Sequence, residues 1–438
     1  MSTDATTHWP LVRRLFSPMA VLLYVYTVYF LVGLSTIYEF AYWELMNFGL
    51  RMIGFQPTVH TVLLYIYGAL VMVLGFLIGA DVAKRIGREA LGRGSVLDRR
   101  LTGLRDWLGS LPVVRRFGLG YTLGVTGWLL AFGANAMQLT VAGRASLFDI
   151  ATRWQQSPVL VFLAALNIMF VPALFVFARS RGQRVLAALF FALAVVGLGL
   201  LGARHLPAKL LVSSFLAVVF VAKPRNILRM GVVFFLMLAL AMGVIGSISK
   251  SGIYGPTATA KVALALTYAD SAGTTYNLDR IVRMTPSTGV FKGVLLKDSA
   301  LALIPGFNYE YANYQLGRYL GGREYFEIGG ERIDRSVSLA PTLLGAPYAD
   351  WGVPGVVGQM LFFGVLFGYL QVRARRSLWV VPPFVIMASY IINGVNAGAH
   401  NPNTIAFLAL AMLVCLADAF LARRAPSLYR SVEPKEAS

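Results

Sequence analysis

The sequence is poor in charged and reactive side chains. Charged residues make up 13% of its 438 residues, and it contains one cysteine and four histidines. A typical soluble domain has about 25% charged residues. One cysteine excludes an intramolecular disulfide and a cysteine metal cluster, and the chain has no P-loop and no HExxH sequence. We therefore expect no metal and no cofactor, and we interpret Cys415 as a small buried apolar residue.

Apolar residues, by contrast, are abundant and grouped into long runs. They make up 57% of the chain, and the mean hydropathy is +0.66. A helix needs about 20 mainly apolar residues to cross ~30 Å of hydrocarbon. Ten runs approach that length: 19–40, 58–80, 117–140, 158–178, 185–203, 206–221, 229–248, 351–370, 379–396 and 404–421. The predicted fold is an all-α, polytopic transmembrane bundle of about ten spans, which forms one integral membrane domain over residues 1–438.

The basic residues predict how this bundle lies in the membrane. The chain has 39 basic and 20 acidic residues, a net charge of +19. Lys and Arg concentrate in cytoplasmic loops, and 24 of the 39 lie in or beside the segments 1–18, 81–116, 179–184, 222–228, 371–378 and 422–438. These segments share one side if both termini are cytoplasmic. The charge is thus mostly a signal of membrane topology, and it implies no nucleic-acid partner.

One long loop, residues 249–350, falls on the opposite, periplasmic side. Connections of this length are uncommon unless they are functional. The loop is rich in tyrosine and carries both signs of charge, and Gly321-Gly322 and Gly329-Gly330 predict turns within it. We expect a small, mostly helical cap on the bundle and no independent domain.

A few cations remain on the periplasmic side against the general bias. Arg204, His205 and Lys209 crowd one tight turn, while Arg280 and Arg283 share a helix face beside Asp279. Such groups can clamp a phosphate or diphosphate. They can equally snorkel to lipid headgroups or form a solvated ion pair.

Two residues are candidates for proton transfer. His400 is the only histidine in the turn between the last two spans, and imidazole suits proton transfer near neutral pH. Asp350 lies within a Pro- and Gly-broken segment, 336–355, whose unpaired backbone groups must lie within protein or beside a wet cavity. We expect Tyr348, Asp350 and Trp351 at that cavity. The alternatives are an N-cap role for Asp350 on the following span and a hydrogen-bonded loop role for His400.

Four stretches resemble the Wzy-type O-antigen and exopolysaccharide polymerases. They are Gly202-Ala203-Arg204-His205, Leu278-Asp279-Arg280, the sequence LIPGFNY at 303–309, and APT with GAPYADWGVPG at 340–355. Two positions depart from the family pattern. Ala346 stands where the family often has Glu, and Gly306 stands where it often has Arg.

This resemblance implies a GT-C-like bundle that polymerises polyprenyl-diphosphate-linked oligosaccharide repeat units at the outer face of the membrane. It implies that cations hold the leaving diphosphate: Arg204, Lys209, Arg280 and Arg283. It implies that His400, or else Asp350, accepts the proton. It also implies that cap residues bind sugar: Tyr309, Tyr311, Tyr314, Tyr348 and Arg318. The expected partners are the lipid-linked donor and acceptor, membrane lipid, and the chain-length regulator and flippase of the same pathway.

Three alternatives remain open. An O-antigen ligase, or another lipid-sugar GT-C glycosyltransferase, differs in its acceptor, which the sequence does not identify. A flippase for lipid-linked saccharide would line a central cavity with charges inside its spans, whereas the charges here gather at one outer face. Because intramembrane charge is costly, that placement favours an enzyme. A scaffold role would leave the outer arginines and the broken segment unexplained.

Overall fold

The computed structural model describes residues 17–35, 57–89, 167–169, 171–172, 181–200, 205–219, 231–234, 274–304, 312–320, 323–328, 331–336, 340–374 and 380–424. Within these ranges the regular structure is helical, apart from one two-stranded hairpin. The all-α prediction therefore holds for the part of the chain described, with that hairpin as an addition.

The elements follow one another in three groups. The first group contains α1 Pro18–Ser35, α2 Val59–Glu89, α3 Arg181–Leu200 and α4 His205–Ala217. The cap group contains α5 (described over 274–284), α6 Val294–Leu301, α7 Ala312–Tyr319, β1 Arg323–Ile328 and β2 Glu331–Ser336. The last group contains α8 Gly345–Trp351, α9 Val353–Ala374, α10 Val381–Ala397 and α11 Pro402–Arg424.

Seven of the ten predicted spans coincide with apolar helices. Two of these are long and apolar enough to cross a membrane, Val59–Ile86 and Val353–Ala374. Five shorter apolar helices match the other predicted runs: Pro18–Leu31, Arg184–Val195, Leu206–Ala217, Val381–Ala397 and Pro402–Ala417. The predicted span 117–140 lies outside the described residues, and 158–178 and 229–248 are described only in fragments. The count of about ten spans stays a prediction.

Helices α2 and α9 pack along a seam of glycines. A Cβ atom added at Gly75, Gly79, Gly364 or Gly368 would lie between 2.0 and 2.5 Å from a backbone oxygen of the facing helix. Small residues allow this close backbone approach, which is a common way for helices to associate in membranes. Another face of α2 exposes leucines: Leu63, Leu70, Leu74 and Leu77. A helix with one face packed and another exposed and apolar suits a bundle surrounded by lipid.

The loop 286–293, here called the clasp loop, binds across the junction of α8 and α9. The amides of Val290 and Phe291 donate to the carbonyl of Ala349 (2.8 and 3.1 Å), and the amide of Lys292 donates to the carbonyl of Asp350 (2.8 Å). The amide of Val353 donates back to the carbonyl of Ser287 (3.3 Å). Backbone groups at the broken junction are therefore paired within the protein, as the sequence predicted.

Candidate functional site

Five of the polar residues selected from the sequence lie at one end of the bundle, where the cap meets the helix ends: Asp279, Arg280, Arg283, Asp350 and His400. Thr274 in α5 donates its hydroxyl to Asn396 Oδ1 near the end of α10 (2.9 Å). Ser299 in α6 donates to the carbonyl of His400 in the turn before α11 (2.8 Å). These contacts place the cap loop and the α10–α11 turn on the same side, as the predicted topology requires.

Asp279 of α5 caps the start of α2. Its Oδ1 accepts hydrogen bonds from the amide of Thr58 (2.7 Å), the hydroxyl of Thr58 (2.9 Å) and the hydroxyl of Thr61 (2.8 Å). Burial acts to raise the pKa of this carboxyl, but the hydrogen bonds from Thr58, Arg283 and Thr61 lower it below its ordinary value. A buried, ionised carboxylate thus satisfies helix donors that would otherwise be unpaired.

Two arginines project from α5 beside this cap. Arg283 donates through Nε to Asp279 Oδ2 and stays about half exposed, with 53% of its side chain accessible. Arg280 donates to the carbonyl of Leu320 at the end of α7 (2.8 Å), and its guanidinium carbon lies 5.7 Å from the ring centroid of Tyr276. Arg280 and Arg283 thus both lie on the cap helix α5, next to the start of α2.

Asp350 of α8 caps a different helix from the one considered in the sequence analysis. Its Oδ1 and Oδ2 accept hydrogen bonds from the amides of Leu295 (3.0 Å) and Leu296 (3.1 Å) at the start of α6. Asp350 lies inside α8, so the alternative that it is the N-cap of the next span is wrong. Gly293 at the N-cap position of α6 has no side chain to satisfy these amides, and Asp350 supplies the missing acceptor.

His400 lies against Asp350 in the same buried cluster. Its Nδ1 is 3.5 Å from Asp350 Oδ2, and the two side chains are 3% and 0% exposed. Its Nε2 lies 2.8 Å from Gln359 Oε1 in α9. Gln359 Nε2 donates to the carbonyl of Leu343 (2.6 Å), so its Oε1 is the acceptor and His400 Nε2 carries the hydrogen.

This arrangement directs the lone pair of His400 Nδ1 at a carboxylate. Burial raises the pKa of Asp350 to about 6, although the amides of Leu295, Leu296 and Gly293 oppose the rise. Burial lowers the pKa of His400 to about 4. At neutral pH the aspartate is therefore ionised and the histidine neutral, and a single proton can bind between His400 Nδ1 and Asp350 Oδ2. The pair can share a proton, but both ring nitrogens face protein groups.

Tyr348 is buried and not open to a cavity. Its side chain is 2% exposed, and its hydroxyl oxygen lies 3.4 Å from Nε2 of His60 in the first turn of α2. The two rings meet edge to face, with centroids 5.8 Å apart. Trp351 is the exposed ring of this segment, at 38%. The sequence analysis grouped the two rings, but the helical turn of α8 directs them to different environments.

The remaining predicted residues fall into three situations. Lys209 in α4 is buried, with its Nζ 3.8 Å from the ring centroid of Tyr390 in α10. Tyr314 and Arg318 lie on α7, where Tyr314 is half-buried and Arg318 is exposed. Arg204, Tyr309 and Tyr311 lie outside the described residues, and of His205 only the backbone, at the start of α4, is described.

Residues suited to metal binding do not converge in the described part of the chain. No group of three histidine, cysteine, aspartate or glutamate side chains there is placed to hold a metal ion. His60 is the residue at this end of the bundle that sequence reasoning missed, because a single polar residue at the start of an apolar run gives no pattern of its own.

Comparison with known proteins gives one result. A family model described as "Putative O-antigen polymerase" matches residues 14–408, which is most of the chain. No curated protein matches the chain. No solved structure matches it either.

Proposed function

The chain belongs to the O-antigen polymerase family, and from this premise we propose that it polymerises polyprenyl-diphosphate-linked repeat units at the outer face of the bacterial inner membrane. Membership gives it a general role as a glycosyltransferase-type polysaccharide polymerase acting on lipid-linked oligosaccharides. The family match over residues 14–408 is the observation that carries this proposal. The polar end of the bundle supports it, because arginines there lie beside the ends of membrane helices.

The proposed reaction is a glycosyl transfer. A hydroxyl oxygen of the acceptor repeat unit attacks the anomeric carbon of the donor, and the bond between that carbon and the diphosphate oxygen breaks. The electron pair leaves with polyprenyl diphosphate, and the hydroxyl proton passes to a base. The glycosyl–diphosphate bond supplies the driving force, so the reaction needs no nucleotide. Charge grows on the leaving diphosphate, and fixed cations are most effective where that charge develops.

The proposed cations are the four predicted from sequence: Arg204, Lys209, Arg280 and Arg283. Among them, Arg283 is held by Asp279 yet remains half exposed, so it can contact a phosphate without leaving its partner. Arg280 is positioned through the carbonyl of Leu320. Lys209 would act from within the bundle, since it packs on Tyr390.

The proposed saccharide site remains on the cap, at Tyr309, Tyr311, Tyr314 and Arg318. Tyr348 was also predicted to bind sugar, but its side chain is 2% exposed within α8 and cannot stack on one. The proposed proton carriers of the sequence analysis are His400 and Asp350. Their buried pair suits exchange of one proton, but a substrate hydroxyl reaches it only if Gln359 or Asp350 moves, since these face the two ring nitrogens.

Deletion of the gene tests the function. A polymerase deletion should leave surface glycans with single repeat units, which gel electrophoresis of extracted glycans resolves. A flippase deletion would instead trap lipid-linked units on the cytoplasmic side, and a ligase deletion would leave full polymer unattached to its final acceptor. Polymer of normal length in the deletion strain would contradict the proposal.

Arginine variants in that strain test the site. Arg280→Ala and Arg283→Ala should each shorten the polymer or abolish it, because a cation near the leaving diphosphate is lost. Arg85→Ala is the matched control, since Arg85 forms an exposed pair with Asp81 at the opposite end of α2 (2.7 Å). It should restore polymer of full length. Equal restoration by all three variants at equal protein level would remove Arg280 and Arg283 from the mechanism.

A further inference from the structure

His60 is an exposed imidazole at the polar end of the bundle. It is the second residue of α2, and its contact in the cap is the hydroxyl of Tyr348, 3.4 Å from Nε2. Either atom can be the donor in this contact; in the tautomer that donates Nε2–H to the tyrosine oxygen, the lone pair is on Nδ1. The side chain is exposed, so a substrate hydroxyl can approach the imidazole.

The surroundings of His60 supply a cation. Thr58 and Thr61, which flank it on the same helical turn, both bind Asp279 Oδ1. The other oxygen of Asp279 accepts from Arg283, whose guanidinium is half exposed. His60 and Arg283 therefore both lie at the start of α2, Arg283 through its contact with Asp279. A proton acceptor and a phosphate-binding group are thus found at the same helix end.

His400 offers no such access. Its side chain is 3% exposed, and its two nitrogens face Asp350 and Gln359. A general base must come within hydrogen-bond reach of the proton it removes, directly or through one water. Of the two histidines whose side chains are described at this end of the bundle, His60 meets that condition without displacing a neighbour.

We propose that His60 accepts the proton of the attacking saccharide hydroxyl, with Arg283 beside the departing diphosphate and Tyr348 as a positioning residue that orients the imidazole. This inference rests on the proposed function. As the hydroxyl oxygen bonds to the anomeric carbon, its proton moves to Nδ1 of His60. The carbon–oxygen bond to the diphosphate breaks, its electron pair stays on the diphosphate, and the imidazolium then releases the proton to water.

The test uses the full-length protein in lipid nanodiscs. The probe is the pool of lipid-linked repeat units extracted from the deletion strain, and chain extension is followed by gel electrophoresis. His60→Asn and His60→Gln should lower kcat by at least about 100-fold, the usual contribution of a general base, with KM changed less than about threefold. The unaltered protein should lose rate in acid, and this loss should be absent from both variants. Val59→Asn, one residue away and 75% exposed, is the control and should leave kcat unchanged.

The positioning role has its own readout. Tyr348→Phe should lower kcat by less than His60→Asn does, and the His60→Asn/Tyr348→Phe double variant should be no slower than His60→Asn, because the tyrosine acts through the imidazole. Added imidazole should partly restore His60→Ala. A loss of rate that is equal at every pH and unaffected by imidazole would make His60 structural and overturn the inference.

The two proposals fail in different ways. Unaltered kcat and pH dependence in His60→Asn would overturn the role of His60 while the proposed function stands. Absence of chain extension by the unaltered protein, in nanodiscs that retain its native melting temperature, would overturn the proposed function itself.

Discussion

Asp279 and Asp350 are both buried acceptors at the start of a neighbouring helix, yet their pKa values shift in opposite directions. Asp279 receives three hydrogen bonds on one oxygen and an arginine on the other, and these outweigh the effect of its burial. Asp350 receives backbone amides alone among its hydrogen-bond donors, and burial raises its pKa to about 6. The hydrogen bonds from Thr58, Arg283 and Thr61 therefore keep Asp279 ionised at pH values where Asp350 can take up a proton.

Replacing Asp279 with Asn should destabilise the protein. The amide keeps one acceptor but loses the charge that Arg283 and the α2 donors require, and such a change costs about 1–3 kcal/mol. Because the folded pKa lies below the ordinary 3.8, the charge stabilises the fold above about pH 4 and this contribution is lost as pH falls further. The melting temperature in detergent should drop at neutral pH, and the deficit should shrink in acid.

The matched control for Asp279 is Asp81→Asn, which removes an exposed carboxylate paired with Arg85. Exposed pairs contribute at most about 1 kcal/mol. If Asp81→Asn lowers the melting temperature as much as Asp279→Asn does, the hydrogen bonds of Asp279 to the start of α2 do not hold the cap loop in place.

The Asp350–His400 pair should show opposed pH dependences. Native Asp350 keeps a proton that the unfolded chain releases between pH 3.8 and about 6, so its contribution to stability falls as pH rises through that range. Between about pH 4 and pH 6.5, His400 is neutral in the folded protein but protonated in the unfolded chain. Its contribution to stability therefore rises with pH. The two nearly cancel in the unaltered protein.

Single substitutions should expose each half of that balance. The melting temperature of Asp350→Asn should increase from pH 4 to 6.5, and that of His400→Gln should decrease from pH 4 to 6. Thermal unfolding in a pH series measures both slopes. Identical slopes in the two variants would show that the pKa values of Asp350 and His400 do not shift in opposite directions on folding.

Sequence reasoning selected Asp279, Arg283, Asp350 and His400, which lie at this end, but it did not predict their partners. The Asp279–Arg283 pair follows from helical spacing alone, because residues four apart share a face. The contacts of Asp279 with Thr58 and of Asp350 with Leu295 join residues 221 and 55 positions apart. No local pattern encodes such contacts, since they depend on how whole helices pack.

At the scale of elements, hydrophobic runs located the helices well and the cap less well. The predicted span 351–370 corresponds to α9, Val353–Ala374, and 379–396 corresponds to α10, Val381–Ala397. The hairpin was missed because its strands, REYFEI and ERIDRS, are rich in charged residues and do not show the regular alternation of apolar and polar residues that predicts a strand. Its backbone register places Glu324 opposite Arg335 and Glu327 opposite Arg332.

The clasp loop should depend on Gly352. This residue has φ of 69°, and a Cβ there would lie 1.6 Å from the carbonyl oxygen of Ser287. Gly352→Ala should therefore separate the loop from the α8–α9 junction and lower stability by about 2 kcal/mol or more. Thermal unfolding and the yield of folded protein measure the effect.

Gly358 provides the control for this change. It lies in α9, and a Cβ there meets nothing within 4 Å. Gly358→Ala should be neutral or stabilising by about 0.5–1 kcal/mol, as for an open helical position. A Gly352→Ala protein as stable as the Gly358→Ala protein would show that the clasp is not required.

At the scale of the molecule, the distribution of polar groups matters more than the net charge of +19. The buried carboxylates, the cap arginines and the described histidines collect where α2, α9 and α11 begin and α10 ends. The predicted topology assigns that end to the periplasm and most of the basic residues to the other side. The polymerisation proposed above requires this separation, with the lipid-linked substrates at the outer leaflet and the basic loops at the inner one.

Cysteine labelling tests this orientation. Replacing Cys415 with Ser removes the one native thiol, after which Thr288→Cys places a thiol on the exposed clasp loop and Lys84→Cys places one on the exposed far end of α2. The two ends of α2 are separated by about 1.5 Å per residue over more than 20 residues, enough to span the hydrocarbon.

A maleimide that cannot cross the inner membrane should label Thr288→Cys in cells with a permeable outer membrane, and Lys84→Cys only after lysis. The reverse pattern would place the arginines and His60 in the cytoplasm, where outer-leaflet donors do not reach them, and would contradict the proposed polymerisation at that site.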